Sequence, residues 1–322
     1  MDEFTFIDTI KQNSYRQSSL IKGIGDDAAV FRQNTMDIVT AVDTFVEGIH
    51  FRKDTMSAFH IGYRALAANI SDLAAMGSQP AFYLASIVIP RHWSSQEVQH
   101  IFQGMKEIAT HYSMDLIGGD TVSGNELVLS ITVIGYVAKE QVRYRGHAEI
   151  DDVVFVTGTL GDSQAGYHIL TNKMEYKDAA YFIERHRMPT PRVAFAACIP
   201  GNIRVALNDV SDGIANEAAE IATASKVSIQ LHDEAIPVHD SFSQFSKEDQ
   251  QQWKYFGGED FELIGTVAPK NWEILVALAK QLNLPLTQIG KVFFEANHNY
   301  VYIQKGNHQL ERLLKQGYNH LK

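Results

Sequence analysis

Cysteine is almost missing from this sequence. The single thiol, Cys198, cannot form an intramolecular disulfide, and its setting VAFAACIPG reads as a small core position rather than a reactive one. Neither HExxH nor a paired-cysteine spacing occurs, so the 13 histidines read as surface or structural groups rather than zinc ligands. No apolar run approaches the ~20 residues needed to span a bilayer. The N-terminal MDEFTF lacks the basic and apolar regions of a secretory signal. A cytoplasmic protein with no membrane partner is therefore expected. Positive charge is also short: 28 Lys+Arg face 38 Asp+Glu, for a formal net charge of -10, which argues against a nucleic-acid binder. GxxxxGK[ST] is absent, excluding a P-loop nucleotide site.

What is present is a long α/β pattern. The 322 residues, 45% of them hydrophobic, suffice for two domains. DIVTAVD (37–43), AFYLASIVIP (81–90, a buried strand), DLIGGD (115–120) and ELVLSITVIGYV (126–137) read as strands. SAFHIGYRALAANISDLAAMG (57–77) has helical spacing with Gly77 placed to end it, and Ser94 with Glu97 forms a capping-box pattern before a second helix. The charged stretch AKEQVRYRGHAEIDD (138–152) is the candidate linker, dividing the chain into residues 1–138 and 139–322. The second half restarts with VVFVTGTLGDSQAG and continues through IRVALND (203–209), a helix from about Gly213, VSIQL, FELIGTV, a helix over 272–282 and TQIGKV. No internal repeat or low-complexity tract is evident.

The stretch GIGDDAAVF (23–31) nearly spells a dinucleotide fingerprint, but strand-like sequence follows it where a helix would have to open. Asp26 and Asp27 also stand where a bare pyrophosphate would lie. Other acids sit at telling places. Asp43, Asp120 and Asp209 each close an apolar run, Asp212 follows Asp209 by three residues, and Asp72 lies in an alanine-rich helix where a lone carboxylate is costly. Singly, each has a plainer explanation: Asp120 a turn, Asp212 an N-cap, Asp26 and Asp27 a solvated loop. Together they share one chemistry, ligation of a hard cation through oxygen. Several carboxylates cannot face a triphosphate unaided, since two unit charges at ~4 Å repel by about 4 kcal/mol at an effective dielectric near 20. Mg²⁺, which accepts a few carboxylates plus substrate phosphates, resolves the conflict. A calcium-binding module is the non-enzymatic rival. NDVSDG (208–213) opens like an EF-hand loop, but Val210 and Ala219 occupy two of its ligand positions.

GIGDDAAV (23–30), VDTFVEGIHF (42–51), ANISDLAAMG (68–77), IGGDT (117–121), VTGTLGDS (156–163), DVSDG (209–213), FGGEDFEL (256–263) and GYNH (317–320) together resemble the motifs of the thiamine-monophosphate kinase family, in order and over almost the whole chain. The resemblance implies a two-domain mixed α/β architecture shared with aminoimidazole ribonucleotide synthetase, with N-terminal domains pairing their sheets in a homodimer. It implies transfer of the γ-phosphoryl group of ATP to thiamine monophosphate in a cleft between domains. By position, Asp27, Asp43, Asp72, Asp120 and Asp209 resemble Mg²⁺ ligands and Asp212 the holder of a further ion, with Asp26 beside them. Gly119, Asp120, Arg145 and Ser211 would lie against ATP. His50, Glu259 and Tyr318 would contact the thiamine phosphate. One departure stands out: where the family often has a hydroxyl residue, Ala41 and Val42 precede Asp43. That removes a side-chain ligand and leaves the Val42 carbonyl as the metal contact. Asp43, Asp72, Asp120 and Arg145 would carry the transfer itself. The runner-up is a relative on the same scaffold. Selenophosphate synthetases carry an early cysteine or selenocysteine and hydrogenase-maturation relatives a cysteine-bearing tail, both missing here; aminoimidazole ribonucleotide synthetase fits GIGDDAAV and FGGEDFEL less well.

Overall fold

A computed structural model describes residues 20–22, 26–27, 29–32, 35–296, 298–306 and 309–315. The first half builds a six-stranded sheet in the order β1-β2-β3-β6-β4-β5. Its strands are β1 (Leu20–Lys22), β2 (Ala29–Arg32), β3 (Met36–Val46), β4 (Gln79–Pro90), β5 (Asp115–Gly124) and β6 (Val128–Ala138). All neighbours are antiparallel except β4 and β5. Two helices, α1 (Ala58–Ala75) and α2 (Ser95–His111), cover one face.

The helices form where the sequence pattern placed them. Ser57 caps α1 by accepting from the His60 amide, and the chain leaves it through Gly77 at φ 69, whose N–H returns to the Ala74 carbonyl. At α2 the capping box is complete: Ser94 accepts from the Glu97 amide while the Glu97 carboxylate accepts from the Ser94 amide.

Strand alternation decides which side chains meet those helices. Leu129, Ile131 and Val133 of β6 are buried beneath α1, and across the ladder they pair with Phe45, Asp43 and Ala41 of β3. Asp43 thus points to the helix-covered face. Val42 points to the opposite face and is 60% exposed. On that outer side a row runs Thr44, Ser130, Ser86, Asp120 across four strands.

The second half carries a seven-stranded sheet in the order β13-β12-β9-β11-β7-β10-β8. These strands are β7 (Val153–Thr157), β8 (Val205–Asp209), β9 (Ser228–His232), β10 (Leu263–Val267), β11 (Leu286–Phe293), β12 (Val301–Gln304) and β13 (Leu310–Arg312). Helices α3 (Asp162–Thr171), α4 (Ala179–Arg187), α5 (Val193–Cys198), α6 (Ile214–Ser225), α7 (Lys247–Phe256) and α8 (Trp272–Gln281) complete it. The two halves share apolar surface: Phe261 and Val193 are buried in the first core, and Ala75 in a core of the second.

Four expectations need correction. Cys198 is exposed at the end of α5, which turns Val193, Phe195 and Ala196 inward instead. Strand β4 is only half-buried, because one of its faces lies away from the helices. Neither Asp43 nor Asp120 ends its strand: β3 continues to Val46 by pairing with β6, and β5 to Gly124 by pairing with β4. Of those three acids only Asp209 closes a strand. β12 and β13 were not anticipated.

Candidate active site

Where α1 meets β8 and the loop before β2, one carboxylate oxygen each from Asp27, Asp72 and Asp209 lie within 4.8 Å of one another. Asp43 adds to them from β3, raising the affinity of Asp72 and Asp209 for protons. Asp72 lies one helical turn after Asn69, which bonds β3, and next to Ser71, which bonds β8, so it sits between the two halves. Ser71 is wholly buried and donates to Asp209 Oδ2 at 2.8 Å. Asn69 donates to the Ala65 carbonyl at 2.9 Å and accepts from the Asp43 amide at 3.0 Å, fixing β3 against the helix.

Electrostatics show the cost of this grouping. Burial, then the charges of Asp43, Asp209 and Asp27, holds the Asp72 carboxyl well above the usual range. Asp27 is raised likewise by burial against the pull of Arg145, and Asp209 is pushed up to about 6 by burial, with Ser71 opposing. Within 4.8 Å, a pair of full charges repels by at least about 3.5 kcal/mol at an effective dielectric near 20. Asp27 Oδ2 is buried and has no hydrogen-bond partner. An all-oxygen donor set, too close to ionise freely and with an orphaned oxygen among its atoms, fits a hard divalent cation such as Mg²⁺.

Arg145 supplies the positive charge on the other side. It lies on the short 3₁₀ turn Arg145–His147, contacts Asp27, and faces Asp26 at 3.2 Å and Glu220 at 3.5 Å. Its guanidinium also donates to Asn208 Oδ1 at 2.9 Å. Asn208 in turn donates to Glu217 at 2.5 Å, whose other oxygen accepts from the Asp212 amide at 3.1 Å. A chain of contacts thus links Arg145 to Asp212.

Beside the cluster opens a cleft of about 890 Å³, whose lining includes Asp43, Ser211 and Asp212 as well as Phe45, His50, Trp253, Phe256 and Glu259. His50 Nδ1 accepts from the Val46 amide at 3.0 Å, so the neutral ring carries its hydrogen on Nε2. Glu259 belongs to the loop between α7 and β10, at φ 67. Its amide donates to the Ser211 carbonyl at 2.7 Å. Gly258 permits this approach, since a Cβ there would lie 2.5 Å from the same oxygen. Val42 lines the cleft as well. Among the described residues, β2 pairs with β3 up to Thr40.

Of the residues expected to act together, Asp27, Asp43, Asp72, Asp209, Asp212, Arg145 and Ser211 converge, with His50 and Glu259 across the cleft. Gly119 and Asp120 do not join them within one chain. They lie on β5, three strand spacings or about 14 Å from β3, and Asp120 faces the outer side of the sheet. Tyr318 lies outside the described residues. Asn69, Ser71, Asn208 and Glu217 were missed. For Asn69 the available signal was polarity at helical spacing from Asp72 in an alanine-rich helix, and for Ser71 polarity beside Asp72 in the same helix; for Asn208 it was an amide beside Asp209 at a strand end.

Both halves of the chain match the AIR synthase related proteins. The model of that family's N-terminal domain matches residues 25–137, and that of its C-terminal domain residues 149–302. A thiamine-monophosphate kinase of Bacillus subtilis (strain 168) is 43% identical over 328 aligned positions, covering 100% of both chains. The chain belongs to the thiamine-monophosphate kinase family. Among solved structures, AaThiL complexed with AMPPCP and TMP superposes with a TM-score of 0.85 at 26% identity, covering 99% of this chain and 97% of that one. Thiamine-monophosphate kinase from Stenotrophomonas maltophilia K279a does so with a TM-score of 0.77 at 32% identity, covering 94% and 96%.

Proposed function

We propose that this protein transfers the γ-phosphoryl group of ATP to thiamine monophosphate, yielding thiamine diphosphate and ADP. The observation that carries this is the convergence of Asp27, Asp72 and Asp209 near Asp43, which itself lines a cleft that also presents Phe45, Trp253, Phe256 and Phe261 together with Glu259. Acids of this kind suit a metal-borne polyphosphate, and aromatic walls with one carboxylate suit a cationic heteroaromatic ring.

The acceptor's own phosphate oxygen would form the new bond to the γ-phosphorus as the bridging oxygen leaves with ADP. A phosphate monoester is already largely ionised near neutral pH, so the site needs no general base. Asp27, Asp43, Asp72 and Asp209, with the Val42 carbonyl, would hold Mg²⁺, and Asp212 a further ion. Bound there, the metal would neutralise the phosphates of two mutually repelling substrates. Arg145 would give a permanent fork-shaped charge to ATP, and Ser211 a hydroxyl. His50 would direct its Nε2 hydrogen toward the acceptor phosphate, Glu259 would face the amino or cationic part of the thiamine, and Tyr318 would close on its ring.

The proposal includes a homodimer in the cytoplasm. The outer sheet face exposes Val42, all ten residues of β5 are exposed, and Leu116, Ile117 and Val122 are large apolar side chains among them. Pairing two such sheets would bury that surface and could bring Gly119 and Asp120 of one copy to the carboxylates of the other. No helix among the described residues is long and apolar enough to cross a membrane.

The test is to supply the purified protein with ATP, Mg²⁺ and thiamine monophosphate and assay for thiamine diphosphate, with thiamine and formylglycinamidine ribonucleotide as parallel acceptors. Product from the monophosphate alone is expected. Turnover of either parallel acceptor in its place would refute the assignment.

A further inference from the structure

Arg64 carries a charge into the interior without belonging to the carboxylate cluster. It projects from α1, and its side chain is 1% exposed. One guanidinium nitrogen lies 2.7 Å from His186 Nδ1 and donates also to the His186 carbonyl. Another forms an ion pair with Glu259. His186 sits on α4, so Arg64 bridges the first half of the chain to two separate elements of the second.

The arrangement has a direction. Burial, and then the charge of Arg64, lowers the proton affinity of His186 and keeps its ring neutral, so Nδ1 is free to accept. His186 Nδ1 is also 3.2 Å from Ser163 Oγ, which ties the imidazole to the start of α3. With one side of its fork anchored, the guanidinium presents its other side to Glu259. That carboxylate is 31% exposed and lines the cleft. The Glu259 backbone is already fixed in the left-handed region and bonded to Ser211. What the backbone leaves undetermined is the carboxylate's orientation, and a planar two-sided donor is suited to fix it.

We infer that Arg64 is a positioning residue for the acceptor: by holding Glu259 it aims one carboxylate at the amino or cationic edge of the acceptor's ring, and so sets acceptor affinity without touching the acceptor or ATP. The inference rests on the assignment of the cleft to thiamine monophosphate.

The experiment compares KM for thiamine monophosphate and for ATP in the full-length protein and in Arg64→Met, Arg64→Lys, Glu259→Gln and the two corresponding double variants. Arg64→Met should raise the acceptor KM by about 10- to 100-fold, the range expected for losing one charge-assisted hydrogen bond. The ATP KM should stay within about twofold, below the cost of any single hydrogen bond to a charged group. Arg64→Lys keeps the buried charge but cannot serve His186 and Glu259 from one plane, so it should raise the acceptor KM less. In the Glu259→Gln background neither Arg64 substitution should raise the acceptor KM further, because the group being aimed is gone. A purely structural Arg64 would give effects that persist in that background, or that fall on both substrates alike, and either result overturns the inference. Should Arg64→Met fail to fold, the same comparison with Arg64→Lys decides. An unmodified protein that does not turn over thiamine monophosphate at all would overturn the cleft assignment itself, and this inference with it.

Discussion

Ser71 Oγ donates to Asp209 Oδ2 at 2.8 Å, joining helix α1 of the first half to strand β8 of the second. Both residues are buried, so this bond both orients a carboxylate of the acidic cluster and contributes to the contact between halves. It also opposes the upward push of burial on Asp209. Ser71→Ala removes the donor and leaves Asp209 with one fewer partner. The expected cost is about 1 kcal/mol of stability, read as a lower denaturation midpoint. The Mg²⁺ concentration giving half-maximal activity should rise several-fold while kcat at saturating Mg²⁺ changes little. An unchanged Mg²⁺ titration would show that Ser71 does not position Asp209.

The cluster's mutual repulsion predicts opposite effects on stability and activity. Asp72→Asn removes one charge from the group formed with Asp27 and Asp209. In chelator-treated protein it should raise the melting temperature, by about 1–2 °C if it relieves ~1 kcal/mol. Added Mg²⁺ should stabilise the unmodified protein by mass action and the variant much less. Activity should fall by at least about 100-fold, as when a group stabilising transition-state charge is lost. Calorimetry with and without Mg²⁺, paired with turnover, checks both. A variant that melts lower without metal and gains as much from Mg²⁺ as the unmodified protein would contradict this placement of Asp72.

How much of this was legible beforehand differed between levels. Helices α1 and α2 were readable because their end signals are local: Ser57 and Gly77, and Ser94 with Glu97, act within one turn. The acids were readable as a set because a carboxylate in an alanine-rich helix has few uses. Their companions were not, since Ser71 earns its role from Asp209, 138 positions away. Asp120 shows the limit most clearly. Its motif matched, but the strand order and the side of the sheet it faces follow from long-range pairing that no local pattern encodes. Arg64 was likewise unremarkable in sequence, and only burial against His186 and Glu259 distinguishes it.

Glu262 gives a pH dependence with a defined sign. Burial alone would raise its carboxyl, but the charges of Arg192 and Arg185, with hydrogen bonds from Arg192 and Thr157, outweigh that and hold it below the ordinary range. Arg192 Nε and Thr157 Oγ1 each donate at 2.6 Å, and Arg185 donates at 2.7 Å. A carboxyl depressed in the folded state contributes stability that is present above its unfolded value, about 4.3, and is lost as pH falls through the lower folded value. Glu262→Gln should therefore cost about 3 kcal/mol near pH 7, the lower end of the range for breaking a buried pair, because it leaves two half-buried arginines underpaired. The difference from the unmodified protein should shrink as the pH drops below about 4. Urea midpoints across that range test the sign; a difference that widened in acid would mean Glu262 is not held ionised by its arginines.

Asp120 poses the sharpest question about assembly. In one chain it shares the outer row with Thr44, Ser130 and Ser86, on the face of the sheet opposite to Asp43. If it acts on the metal-bearing site, it must do so across a pairing of two copies. Mixing inactive Asp120→Asn with inactive Asp72→Asn distinguishes the possibilities. Where each site takes Asp120 from one copy and Asp72 from the other, a mixed dimer holds one intact site and one carrying both substitutions. Random exchange of equal amounts gives half mixed dimers, so activity should return to about a quarter of the unmodified level under two-fold symmetry. If both groups serve the same site from the same chain, every site in a mixed dimer carries one substitution and the mixture stays inactive. Recovery should follow the rate of subunit exchange and disappear when the variants are cross-linked before mixing, which separates shared sites from contamination by unmodified enzyme.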